Sequence, residues 1–170
     1  MSYDLYLLAP VAGEDPMETA DRLEEADAAA DPGARELIAR LVEAIGADGT
    51  AYERFPLDDG SVQLMEEGGL DVTVHGNRVF VTFPYWDSLD EERLTREIER
   101  VARVVGAETG WRLYDPQVEG FVDPSEDDDA GAIRDAFDGG RQTLRELVAE
   151  DDAAQAAPRP SRLKRLFGRG

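Results

Sequence analysis

The sequence has no cysteine and a single histidine, His75. Without cysteine there is no disulfide framework, no thiol nucleophile and no cysteine-held zinc. A Ser-His-Asp triad or a two-histidine iron site would each have to use His75, and no flanking pattern supports either. Its place beside a Gly-Asn pair marks it instead as an exposed turn residue. No stretch approaches the roughly 18–20 apolar residues of a membrane span. The start, MSYDLYLLAP, lacks the basic region of a secretory signal and passes straight into strand-like alternation. No G-x-S-x-G, P-loop or dinucleotide fingerprint occurs; the glycine pairs at 68–69 and 139–140 lack those spacings. The expectation is a cytosolic protein with no cofactor and no metal.

Lysine is also nearly absent. Lys164 stands alone, and the other 17 of the 18 basic residues are arginine, against 38 acids and a net charge of −20. A body so charged repels phosphates, which argues against nucleic acid as a partner. Acid-rich, lysine-poor usage fits a halophilic or GC-rich source. The other reading is an acidic surface that docks a basic protein, steered in by the field. Hydrophobic residues make up 42% of the chain, enough for a real core.

The chain is organised around Gly69–Trp86, GLDVTVHGNRVFVTFPYW, which reads as two strands joined at Gly76-Asn77. That pair readily takes the left-handed backbone of a two-residue hairpin turn. With it as the turn, His75 faces Arg78, Val74 faces Val79, Val72 faces Val81 and Leu70 faces Phe83. The three apolar pairs then share one face, and a slip of one residue would destroy the match. Ser2–Leu8 alternates as another strand, Ser61–Glu66 as a third, and Trp111–Tyr114 as a short last one. Asp15-Pro16 and Asp31-Pro32 signal helix starts, and Ser88–Glu91 is a capping box. Leu37, Ile38, Leu41, Val42 and Ile45 form one strong apolar stripe, and Leu94, Ile98, Val101, Ala102 and Val105 another. The helix after Pro16 has only Met17, Ala20 and Leu23 and reads as peripheral.

The order β-α-α-β-β-β-α-β predicts an α+β fold, a largely antiparallel sheet of about five strands with helices on one face. Residues 1–122 form the globular domain, 123–150 an acidic helical extension broken at Gly139-Gly140, and 151–170 an Ala/Pro linker with a basic tail. Residues 159–170 hold five basic residues and no acid, so the net −20 becomes −25 for residues 1–158.

Candidate sites are few. The acid run Asp123–Asp129 lacks the turn glycine and closing glutamate of an EF-hand loop, so it reads as a linker or helix lead-in. Tyr85, Trp86, Trp111 and Tyr114 end one strand and lie on another; they either fill the core or line a shared protein-binding patch. Arg162, Leu163, Lys164, Arg165, Leu166 and Phe167 place apolar residues at helical spacing among basic ones, a minimal hook for a partner groove or an anionic membrane surface. Asp71, Asp87 and Asp115 are the candidates for a carboxylate-dependent hydrolase or a metal-assisted phosphoesterase, which requires them to converge.

Met1–Tyr6, Phe83-Pro84-Tyr85-Trp86 and Thr109–Gln117 (TGWRLYDPQ) together resemble, in order as well as wording, a group of small uncharacterised bacterial proteins. The likeness covers about residues 1–122. It implies an α+β fold; some proteins of this look are suspected immunity or accessory partners of polymorphic toxins, and the resemblance brings no catalytic residue. The expected function is non-enzymatic protein binding, an immunity-type inhibitor being one form. The alternatives are the carboxylate enzyme and a membrane-recruited accessory protein.

Overall fold

The computed structural model of the protein describes residues 2–25, 32–47, 51–66, 69–84 and 91–156. Its elements in chain order are β1 (Ser2–Leu8), α1 (Pro16–Glu25), α2 (Pro32–Gly46), β2 (Glu53–Pro56), β3 (Val62–Met65) and β4 (Asp71–Val74). They continue with β5 (Val79–Pro84), α3 (Glu91–Thr109), β6 (Arg112–Asp115), β7 (Gly120–Val122) and α4 (Asp127–Ala156). The fold is α+β, with one antiparallel sheet in the order β2-β3-β4-β5-β1-β6-β7.

The hairpin has the register that alternation requires: Val74 pairs with Val79 and Val72 with Val81, and the His75 amide donates to the Arg78 carbonyl at 2.9 Å. Leu70, Val72, Val74, Val79, Val81 and Phe83 are all at most 1% exposed. Each such side chain contributes about 1.5–3 kcal/mol by leaving water. The turn differs from expectation in one respect. The described residues with left-handed backbone are Gly13, Gly60, Gly110 and Glu119, so Gly76 and Asn77 close the hairpin without it. His75 is half-buried rather than exposed, its Nδ1 3.8 Å from the Asp59 carboxylate.

Two more strands exist than the periodicity gives. β2 is exposed at every position and ends in proline, so it carries no alternation of burial. β7 is only three residues long. β3 turns Leu64 into the core, which settles its direction: Val62 packs beside Leu64, while Gln63 and Met65 take the other face.

The main core lies between one sheet face and α2, α3 and the first part of α4. Tyr3, Leu5 and Leu7 of β1 meet Ile38, Leu41 and Ile45 of α2 and Leu94, Ile98, Val101 and Val105 of α3 in one cluster. Gly110 (φ 75°) ends α3 as a left-handed cap, its amide donating to Gly106 at 2.8 Å. Ile133 and Phe137 of α4 join the same cluster, Phe137 edge-on to Tyr3 at 5.9 Å and 5.3 Å from Phe83. The first turns of the acidic extension are therefore part of the domain's core. α4 also runs unbroken through Gly139-Gly140, where the composition suggests a break.

α1 departs from the layer of the other helices. Asp15 caps it, its Oδ1 accepting from the amide of Met17 at 2.8 Å. Ala20 and Leu23 then pack with Leu8, Tyr6, Tyr114 and Phe121 in a separate cluster. Those sheet residues point away from the main core, so α1 lies against the second face.

Candidate functional site

Cross-strand register assembles one row of side chains on that second face. Phe55 of β2 is opposite Gln63, Gln63 opposite Thr73, and Thr73 opposite Phe80. Phe80 is opposite Tyr6, Tyr6 opposite Tyr114, and Tyr114 opposite Phe121. Rings touch along much of this row: Tyr6 and Phe80 at 5.0 Å, Tyr6 and Tyr114 at 6.5 Å, Tyr114 and Phe121 at 5.8 Å. Such tilted and edge-on pairs contribute about 0.5–1.5 kcal/mol each beyond area burial. Arg112 lies over the Phe121 ring, 4.9 Å from its centre, so a guanidinium already uses the row as a platform.

α1 covers this face unevenly. Tyr114 is buried beneath it, whereas Phe55 and Met65 at the β2–β3 side are 41% and 38% exposed. α1 is held in place from the hairpin: Asn77 Nδ2 donates to the Leu23 carbonyl at 3.0 Å, and Arg78 Nη1 donates to the same oxygen. A carbonyl in the last turn of a helix has no partner within the helix, and a cation there also meets the negative end of the dipole. α2 is tied down in the same way by Arg100, whose Nη1 donates to the Ile45 carbonyl at 2.8 Å.

Among the described residues, the half that α1 leaves uncovered carries carboxylates on β1 to β5 and no cation in the two rows that run across it. The row next to the aromatic one reads Glu53, Met65, Asp71, Thr82, Asp4. Asp4 accepts from Ser2 and Thr82 hydroxyls at 3.0 and 3.2 Å. Asp71 is half-buried, and desolvation raises its carboxyl above the ordinary range.

The residues singled out by composition fall in different places. Tyr85, Trp86, Asp87 and the tail Arg162–Phe167 lie outside the described residues. Trp111 and Tyr114 do not form one patch. Trp111 packs against the main core, while Tyr114 belongs to the α1 cluster on the opposite face, as their odd spacing along a strand dictates. Trp111 lines an open cleft of about 250 Å³ between α3 and β6–β7, floored by Ala102, Leu113 and Val122. Its rim is already matched internally: Arg103 pairs with Glu99, and the Asp123 carboxylate accepts from the Ser125 amide and hydroxyl at 3.0 and 2.6 Å. Those two bonds hold Asp123 below the usual carboxylate range. The acid run is thus the lead-in to α4.

Asp71 and Asp115 do not converge. Asp115 is fully buried toward the main core, where its Oδ2 accepts from the Tyr3 hydroxyl at 2.5 Å; Asp71 faces the other way, with β5 and β1 between the two strands. Among the described residues no group of three or more His, Asp or Glu side chains is placed to hold a metal ion. None of the described helices is long and apolar enough to cross a membrane.

Compared with protein families, curated proteins and solved structures, the chain matches none of the three.

Proposed function

We propose that this chain is a non-enzymatic, cytosolic protein-binding domain for a basic partner, in the manner of an immunity-type inhibitor. The observation that supports this reading is the half-covered second sheet face. Aromatic and apolar side chains there stand in the open beside three carboxylates, and large apolar groups in the open are the usual anchors of an interface. The charge of −20 acts at longer range, speeding the approach of a cationic surface and making it sensitive to salt. The resemblance to small uncharacterised bacterial proteins, some of them suspected partners of toxins, points the same way.

The test is capture from the source cell on the immobilised full-length chain, at low and high salt, beside a Phe55→Ser/Met65→Ser variant. A stoichiometric basic partner, released by salt and lost in the variant, is the expected result. No stoichiometric partner across the salt range, or one that ignores the variant, defeats the reading.

A further inference from the structure

We infer that the uncovered half of the second face recognises a cationic side chain, with an arginine or lysine of the partner seated against Asp71. This deepens the reading above and rests on it. Other carboxylates removed from water are satisfied within the protein: Asp115 by Tyr3, Asp4 by Ser2 and Thr82, Glu97 by Arg100 and Tyr52. The Asp71 carboxylate has no hydrogen bond or ion pair among the described residues, although it stands part-buried between Met65 and Thr82 in the sheet. A carboxylate left this way is costly on its own and attracts a charge-assisted donor.

The neighbourhood suits a guanidinium or ammonium group on a long apolar stem. Phe80 lies one row from Asp71, Met65 and Asp4 lie on its own row, and neither row carries a basic residue on β2 to β5. At the far end of the aromatic row, Arg112 already stacks on Phe121, the same chemistry satisfied from within.

The geometry also selects how the partner arrives. Leu57 bonds through its amide to Ser61, so odd-numbered residues of β2 pair with β3 and even-numbered ones point outward. Pro56 therefore occupies an outward position and removes its donor, which blunts the edge against strand addition. Docking is onto the face. A second copy of this chain is a poor occupant, because a two-fold contact would bring this acidic surface against itself.

The experiment titrates a blocked peptide of alternating arginine and phenylalanine into the nitrogen-15-labelled full chain and follows amide shifts, with the glutamate counterpart as control. Shifts centred on Asp71, Thr73, Phe80 and Thr82, weakened about tenfold by Asp71→Asn, are expected, since the variant keeps the shape but loses the charge that strengthens the bond. Thermal unfolding of Asp71→Asn at or above the wild-type temperature confirms that the loss is local, and Asp71→Glu should keep part of the affinity. Equal binding of the glutamate peptide, or indifference to Asp71→Asn, overturns the inference. So does an Arg162→Ala/Lys164→Ala/Arg165→Ala variant that by itself shifts the same amides, because the occupant is then the chain's own tail. With the natural partner, loss on Phe55→Ser/Met65→Ser but not on Asp71→Asn leaves the protein-binding reading standing and removes this one.

Discussion

The Tyr3 hydroxyl donates to the Asp115 carboxylate across 112 residues of sequence, and neither side chain reaches solvent. Phe83 stacks on the Tyr3 ring at 5.1 Å, so the phenol is clamped while it serves the acid. The amide of Gln117 satisfies the other carboxylate oxygen at 2.8 Å. Burial nevertheless outweighs both bonds and raises the Asp115 carboxyl above 3.8. A raised folded-state value means that the fold favours the protonated acid. Its contribution is complete below the unfolded carboxylate range and is lost as pH rises through the folded value. Asp115→Asn should remove that component: wild type minus variant stability, from urea midpoints, is expected to fall as pH climbs from 3.8 upward. A flat difference would mean that Asp115 does not titrate in the fold. Tyr3→Phe should cost about 1–3 kcal/mol, because it leaves a buried acceptor unmatched.

Phe137→Ala tests whether the acidic extension belongs to the domain. The ring is 3% exposed and contacts Tyr3 and Phe83, so its removal is expected to cost about 3–5 kcal/mol of global stability. Denaturant unfolding measures this. A change below about 0.5 kcal/mol, typical of a surface site, would detach α4 from the core.

Arg78→Met tests the tether on α1. Losing the guanidinium at the Leu23 carbonyl should cost about 1–3 kcal/mol and raise amide exchange in α1 well before the rest of the fold. Uniform exchange across all elements would show that α1 is held chiefly by Ala20 and Leu23.

Glu97→Gln tests the three-way contact among Tyr52, Glu97 and Arg100. Burial first, then the Glu97 carboxylate, raises the Tyr52 hydroxyl far above its ordinary 10.0. The variant should let Tyr52 ionise at lower pH than in wild type, as read by ultraviolet titration. It should also lose about 1–2 kcal/mol with the Arg100 pair. An unmoved Tyr52 titration would leave burial as the whole cause.

The parts of the fold that could be read from residue order are those that repeat locally. Val72, Val74, Val79 and Val81 alternate around a turn pair, and Leu94 to Val105 recur at helical spacing, so both elements follow from neighbours in sequence. β2 escaped because Glu53–Pro56 buries neither side, and an edge strand without a buried face has no period. The α4 helix crosses a glycine pair that costs about 1 kcal/mol per residue in isolation, and Ile133 and Phe137, fixed in the core, help to hold it. The side of the sheet taken by α1 could not be read either. Met17 is 38% exposed, which leaves Ala20 and Leu23 as the apolar residues of its contact beside the buried Thr19. The candidate site was legible only as composition: Phe80, Tyr6, Tyr114 and Phe121 become a row once β1 is known to lie between β5 and β6. Long-range strand order leaves no mark on any single segment.

β1, which precedes the other six strands in chain order, lies inside the sheet between β5 and β6. Leu5 must wait for Val81, and Leu7 for Val79, before either has a strand partner, and β6 follows later still. During synthesis β1 therefore stays unpaired until β5 has been made, about 70 residues later, and its pairing runs on distant encounters rather than local ones. A nascent chain of this kind has good use for acidic repulsion between copies, since the same negative charge that would draw in a partner later keeps unfinished molecules apart now.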